Sequence, residues 1–299
     1  MKSERASPGS GNMEWMAFIK SLFRVLFCVF VAIPLIIYPL LYVFQERLIF
    51  LRAKLHDGEL EWIRKNCPGT EFRITTPDHV ALHGWFVNRG GSGRAPLLIY
   101  FGGNAEEVSG FLYDAARLDG WSVLLTNYRG YGLSQGSPSE SALFRDAVFL
   151  YDEFSKRNDV EAENIVAMGR SLGTGVAVHL ASKRPLRAVI LISPYDSITS
   201  LAKEIYPFVP VSLILKHHFD SLSLATSIKA PVLALMASED TLITPTRSRK
   251  LLASWGGPAL EKVIPECDHN NITSGPGFWE SVTGFLDRIR SPSLRDEPG

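Results

Sequence analysis

The stretch Ala167–Gly175, AMGRSLGTG, sets one serine between two glycines, each two positions away. Before it, NIVAM (residues 164–168) is a short apolar, β-branched run of the kind that forms a buried strand; after it, LGTGVAVHLASK reads as a helix with small residues in its first turns. Ser171 therefore falls at a strand-to-helix junction. A turn that sharp holds its central residue in a strained conformation, and a Cβ at Gly169 or Gly173 would collide with the adjoining strand or helix. The serine is pushed out where a reactant can reach it. G-x-S-x-G also arises by chance in a chain with 24 glycines, so its weight depends on what the rest of the chain supplies.

Outward from the motif, strand and helix patterns alternate. FRITTP (72–77) and VALHGWFV (80–87) suggest a hairpin around Asp78, and PLLIYF (96–101), WSVLLTN (121–127), RAVILIS (187–193), PVLALMA (231–237) and LEKVIPE (260–266) read as strands. AEEVSGFLYDAARL (105–118) reads as helical. In SPSESALFRDAVFLYDEFSK (137–156) Ser137 is expected to cap a helix, with Pro138 in its first position and Glu140 completing a capping box. Leu143, Phe144, Ala147, Val148, Tyr151 and Phe154 then share one face. Such alternation predicts an α/β fold, a mostly parallel sheet covered by helices on both faces. Ligands of such sheets bind beyond the carboxyl ends of the strands, which is where Ser171 lies.

The bulk numbers fit one catalytic domain with an appendage. Lys plus Arg and Asp plus Glu number 31 each in 299 residues, with no block of like charge, which argues against a nucleic-acid partner. Cys28, Cys67 and Cys267 have neither zinc-site nor disulfide-framework spacing, although a Cys67–Cys267 pair stays open. The appendage is VLFCVFVAIPLIIYPLLYVF, residues 25–44, uncharged and about as long as a bilayer's hydrocarbon core is thick. It lacks the small-residue cleavage site of a signal peptide, and Pro34 and Pro39 are tolerated in membrane spans. Basic residues lie on both sides of it, so membrane orientation is not fixed. The expected division is a polar segment over 1–24, an anchor over 25–44, an amphipathic connector over 45–70, a catalytic domain over 71–290 and a polar tail over 291–299.

A serine hydroxyl is a weak nucleophile at neutral pH and needs a base held by an orienting carboxylate. Asp240 follows the strand PVLALMA and His269 follows the strand LEKVIPE, each where a strand hands over to a loop. Glu239 and Asp268 are the neighbours that could be mistaken for the acid. The order Ser171, Asp240, His269 is that of the α/β-hydrolases. His83 and His179 are expected to be packed or surface histidines, and His217 and His218 to lie in a solvated loop. An oxyanion needs two backbone donors. One should come from Leu172; the other should come from the turn Gly102-Gly103-Asn104, where glycines allow close approach. Neither a P-loop nor a dinucleotide-binding fingerprint occurs, and no cofactor or metal is expected.

IYFGGNAEEV, NYRGYGLSQGSPSE, GRSLGTG, ISPYDS, ASEDTLITP and CDHNN, in that order, resemble the membrane-anchored α/β-hydrolase-domain proteins of the bud-emergence-protein-like group, which overlaps the serine aminopeptidase-type hydrolases. The resemblance covers roughly residues 45–290. It implies an α/β-hydrolase fold with Ser171 as nucleophile, Asp240 as acid, His269 as base, and the Asn104 and Leu172 amides as oxyanion donors. Relatives usually read H-G-N where this chain has Gly102-Gly103-Asn104. Tyr128–Gly132, YRGYG, reads as a structural turn. Residues 195–230, apolar in patches, sit where such hydrolases insert a cap, and a small lid receiving an acyl chain and a buried helix pair fit them equally well. The expected activity is cleavage of an acyl ester or thioester, of a lipid or an acylated protein, by an enzyme anchored among membrane lipids. The alternatives are a peptidase or amidase and, less favoured, a non-catalytic scaffold. Asn271-Ile272-Thr273 forms a glycosylation sequon, read as chance so close to His269. Oligomeric state is not legible.

Overall fold

Runs such as LLIYF and AVILI leave neither face fit for water, so they pair as inner strands covered on both sides. In the computed structural model, which describes residues 10–91 and 93–290, eight strands form one sheet in the order β1-β2-β4-β3-β5-β6-β7-β8. They are β1 (Glu71–Thr75), β2 (Ala81–Val87), β3 (Ala95–Phe101), β4 (Ser122–Thr126), β5 (Val160–Arg170), β6 (Ala188–Ile192), β7 (Val232–Ala237) and β8 (Ala259–Ile264). β1 and β2 form the expected antiparallel hairpin, β2 runs antiparallel to β4, and every later pairing is parallel. Residues 1–9 and 291–299 lie outside the described residues.

Two apolar clusters, one on each face, enclose the sheet. On one face α5 (Glu140–Phe154) and α6 (Leu172–Lys183) pack through Leu143, Ala147, Val176 and Leu180. On the other lie α4 (Phe111–Ala115) and α11 (Phe278–Arg290), through Phe111, Phe278, Val282 and Phe285. α3 (Asp57–Asn66) joins that second face by Leu60 and Ile63, and α10 (Pro245–Leu252) follows β7. The turn 128–132 is structural, as its sequence suggests. Buried Arg129 makes paired bonds to Asp146 and Asp78, and the Tyr128 hydroxyl donates to Gly102 O at 2.9 Å.

Several local expectations are corrected. Residues 105–118 form only a 3-10 turn, Val108–Gly110, and the short α4. Glu106 turns its carboxylate back onto the Gly103 amide, and Glu107 caps the 3-10 turn by accepting from Ser109 N, so no helix runs on from residue 105. Ser139, not Ser137, caps α5, accepting from Ala142 N. Glu140 is thereby released to accept from the amides of His218 and Phe219, so it completes no capping box. His217 is buried, its ring edge-on to Phe50, so the loop that holds it is not solvated there. Cys67 and Cys267 are both free thiols.

The N-terminal apolar segment is longer than its uncharged core. α1 (Ser10–Phe27), a π-helical turn Cys28–Ala32 and α2 (Ile33–Ile49) run on without a break. The wide turn precedes Pro34, which lacks an N–H and crowds the carbonyl four residues back. From Glu14 to Ile49 the helix has 36 residues, about 54 Å, and its most apolar window has no buried residue. Three short helices follow β6: α7 (Ile198–Ile205), α8 (Val211–Ile214) and α9 (Ser221–Ala225). α8 and the loop before it lie against α2. The Tyr38 hydroxyl donates to Phe208 O, and the Gln45 carboxamide donates to Ile214 O and accepts from Lys216 N.

Candidate active site

Ser171 sits where β5 becomes α6, with φ +49° and ψ −116°, a backbone that L-residues rarely adopt. The flanking glycines make that turn possible. A Cβ on Gly169 would meet Gly173 O at 2.3 Å, and one on Gly173 would meet Phe101 O at 2.1 Å and Gly102 O at 2.6 Å. Contacts that short would force the helix off the strand. The Ser171 amide is tied to Ile192 O at 2.9 Å and its carbonyl accepts from Thr174, so the strained turn is held from both sides.

The loops after β7 and β8 bring Asp240 and His269 to the same edge. His269 Nδ1 is 2.8 Å from Asp240 Oδ2, and His269 Nε2 is 2.9 Å from Ser171 Oγ. An ionised carboxylate only accepts, so Nδ1 carries the proton and Nε2 is left to accept from the serine hydroxyl. Burial pushes the Asp240 carboxyl up, but the bonds from His269 and from the Ile243 amide outweigh it, and its pKa lies below the usual value. Glu239 is exposed and does not reach His269, and Asp268 instead accepts from the amides of Asn270 and Asn271 to shape the loop. Asn271 in turn accepts from Asp268 N. His83, buried beside Glu71, and His179, stacked on Phe144, take no part.

The turn Gly102-Gly103-Asn104 faces Ser171. A Cβ on Gly103 would lie 3.8 Å from Ser171 Cβ, and one on Gly102 would press Val108 at 2.9 Å. Glu106 braces the turn: its carboxylate accepts from Gly103 N at 2.7 Å, from the Tyr100 hydroxyl at 2.7 Å and from Arg170 Nη1 at 3.3 Å. The Asn104 side chain accepts from Leu51 N, just past α2. Asn104 and Leu172 both border the cavity above Ser171. Neither backbone N–H donates to another of the described residues.

That cavity measures about 640 Å³, the size of a small-molecule pocket. Its floor holds Ser171, His269, Asn104 and Leu172. Its roof is apolar and comes from two places: α7 and α8, through residues such as Leu201, Ile205 and Ile214, and the end of the long helix, through Leu41, Leu48 and Ile49. Sequence reading missed the second source. The boundary between anchor and connector falls at Gln45, and Gln45 is buried in the seam. It also missed Arg170, which bonds both Glu106 and Asn270 O and so links the Gly102-Gly103-Asn104 turn to the histidine loop. Its position beside Ser171 in the motif is the one available signal. Among the described residues no group of three or more His, Cys, Asp or Glu is set to hold a metal.

Comparison with known proteins agrees with this fold. Residues 96–213 match the family model described as alpha/beta hydrolase fold. The uncharacterized protein Rv2307c of Mycobacterium tuberculosis is 35% identical over 222 residues, covering 73% of this chain and 79% of that protein. Protein bem46 of Schizosaccharomyces pombe is 28% identical, over 85% of this chain and 90% of its own length. The lysophosphatidylserine lipase ABHD12 of Danio rerio is 34% identical over 179 residues, 52% of this chain and 46% of that one. The chain is a hydrolase by fold and kinship, and it belongs to the α/β-hydrolase family, in the group of bem46-like proteins.

Proposed function

We propose that the protein is a membrane-anchored serine hydrolase that cleaves acyl esters or thioesters of lipid-like substrates through an acyl-serine intermediate. The observation that carries this is the unbroken relay Asp240–His269–Ser171 beneath an apolar cavity. Ser171 Oγ attacks the acyl carbonyl while His269 Nε2 takes the hydroxyl proton. The tetrahedral oxyanion is met by the N–H groups of Leu172 and Asn104, which have no other acceptor among the described residues. His269 returns the proton to the departing alcohol or thiol, and Asp240 stabilises the imidazolium in between. Water, deprotonated by His269, then attacks the acyl-serine, and the freed acid leaves Ser171 as it began. No step calls on a cofactor.

The ester reading draws on the apolar roof, which suits an acyl chain better than a peptide, and on the lipase among the relatives. The anchor reading draws on the 36-residue apolar helix. A fluorophosphonate probe should label the full chain covalently, and Ser171→Ala should abolish labelling while leaving the circular dichroism unchanged. Labelling that survives Ser171→Ala removes Ser171 from the nucleophile role. Turnover of aminoacyl amides equal to that of the best ester would favour the peptidase.

A further inference from the structure

Residues 205–215, IYPFVPVSLIL, carry no charge, between Lys203-Glu204 on one side and Lys216-His217-His218 on the other. They span the end of α7 and all of α8, and their side chains divide. Tyr206, Val209, Val211, Ile214 and Leu215 border the cavity. Phe208 and Leu213 do not, and they stand 92% and 85% exposed. Large apolar side chains so bare, grouped at one tip, mark a contact surface.

The long helix indicates what covers it. Tyr38 bonds Phe208 O, and Gln45 bonds Ile214 O and Lys216 N, so the tip is clamped along α2. Tyr38 lies six residues, about 9 Å, inside Phe44, the last residue of the uncharged run. Helical side chains lean towards the helix N-terminus, so Phe208 sits at least as deep as Tyr38. Cations collect nearer the domain: Lys216 Nζ lies 4.2 Å from the Tyr42 ring centroid, and the Arg47 guanidinium 5.5 Å from that of Phe44. Aromatic rings and long cationic side chains are the residues that settle among lipid headgroups.

Resting on the anchored-hydrolase reading above, we propose that the cap tip Tyr206–Leu213 is a second membrane contact, inserted into the leaflet that the end of α2 crosses, so that the cavity between α2 and the cap takes its acyl chain from the bilayer and not from water. The tip and the helix then form the two jambs of a doorway below the headgroups.

The test uses the full chain in phosphatidylcholine vesicles with a minor anionic lipid, in a Cys28→Ser/Cys67→Ser background, since Cys267 is buried. Spin labels are placed singly at Phe208→Cys and Leu213→Cys, with Leu35→Cys in the helix and Lys156→Cys on the domain as references. Collision with oxygen and with a nickel chelate reads depth. The proposal expects position 208 to resemble 35 and position 213 to lie shallower but out of water, with 156 in water. If 208 and 213 resemble 156 while 35 stays in hydrocarbon, the cap contact falls and the anchor stands; if 35 is itself in water, both fall. Shielding of 208 and 213 from both quenchers would mark a protein face, such as a second copy, and overturn the proposal. In parallel, Phe208→Ser/Leu213→Ser should lower the turnover of a vesicle-held long-chain ester, relative to a soluble two-carbon ester, by about a hundredfold or more, the scale of losing two buried apolar side chains, and Phe208→Trp/Leu213→Trp should not. An unchanged ratio in the serine pair overturns the bilayer route.

Discussion

The floor of the cavity is made from strand ends, with Ser171, Asp240 and His269 following β5, β7 and β8. The roof is made from surface helices, α2 on one side and α7 with α8 on the other. The floor is held by bonds between buried groups and by glycines that let backbones touch; its parts have one arrangement. The two sides of the roof, α2 and the cap, are joined by three hydrogen bonds at Tyr38 and Gln45, and much of the rest is apolar surface, some of it bare. Chemistry demands sub-ångström placement and so is built into the sheet. On the proposed reading, selection among acyl chains demands only area and shape, which surface helices provide.

If that contrast holds, the largest effect should come from the floor's hydrogen-bond relay. Asp240→Asn should lower kcat about 10⁴-fold, as in serine hydrolases whose histidine loses its orienting carboxylate, with the thermal midpoint little changed. A mild loss here, beside a large one for Glu239→Gln, would move the acid to Glu239.

Next in size is the glycine contact beneath the relay. Gly173→Ala sets a Cβ 2.1 Å from Phe101 O, which is backbone and cannot swing away. Overpacking of this kind should cost roughly 3 kcal/mol and lower the thermal midpoint by about 6–12 °C. Gly110→Ala, at a position with open space, is the control. Equal midpoints would mean that the strand-to-helix turn is looser than its geometry.

Acid should weaken the floor's scaffold. His179, on α6, has its pKa lowered to about 4 by burial and by the Lys183 charge. The unfolded chain binds that proton more readily, so the stabilisation is full above about pH 6.5 and is lost as the pH falls towards 4. Water reaches part of the ring, so the loss should be about 2 kcal/mol, read as a change in urea midpoint between pH 7 and pH 4.5. His179→Phe should make that slope shallower, the rest coming from buried His83 and His217, and an equally steep slope in the variant would assign His179's share elsewhere.

The smallest effect belongs to the roof. Leu41→Ala should reduce the ratio of kcat/KM for a twelve-carbon over a two-carbon ester about fourfold, the worth of roughly one buried methylene. A ratio that does not move would detach the long helix from chain-length selection.

Legibility in the sequence follows the same contrast. The serine turn, the strands and the positions of Asp240 and His269 could be read because each is a local pattern: an apolar run, then a reactive residue at a fixed offset. What escaped reading depends on groups far apart in the chain. The helix over 105–118 was cut short by Glu106 folding back onto the turn it braces and by Glu107 capping a separate turn after it. Ser137 and Ser139 are equivalent caps in a string, and only the use of Glu140 by the loop at His218 and Phe219 separates them. The pairing of α2 with the cap links residues about 170 apart through side chains that look alike whether they face lipid or protein.

The seam between α2 and the cap bears on how the protein can be handled and how it can diverge. A soluble version begun at Gln45 would discard Leu41 along with the Tyr38 tie to Phe208, leaving a pocket open along one flank. Chain-length preferences measured on that truncate would describe the missing wall. For the same reason the segment is not a generic leader that another apolar helix of equal length could replace. A transplant would have to keep Tyr38, Leu41, Gln45 and Leu48 in register with the cap, so substitutions in the N-terminal helix and in residues 205–215 should be inherited as a matched set.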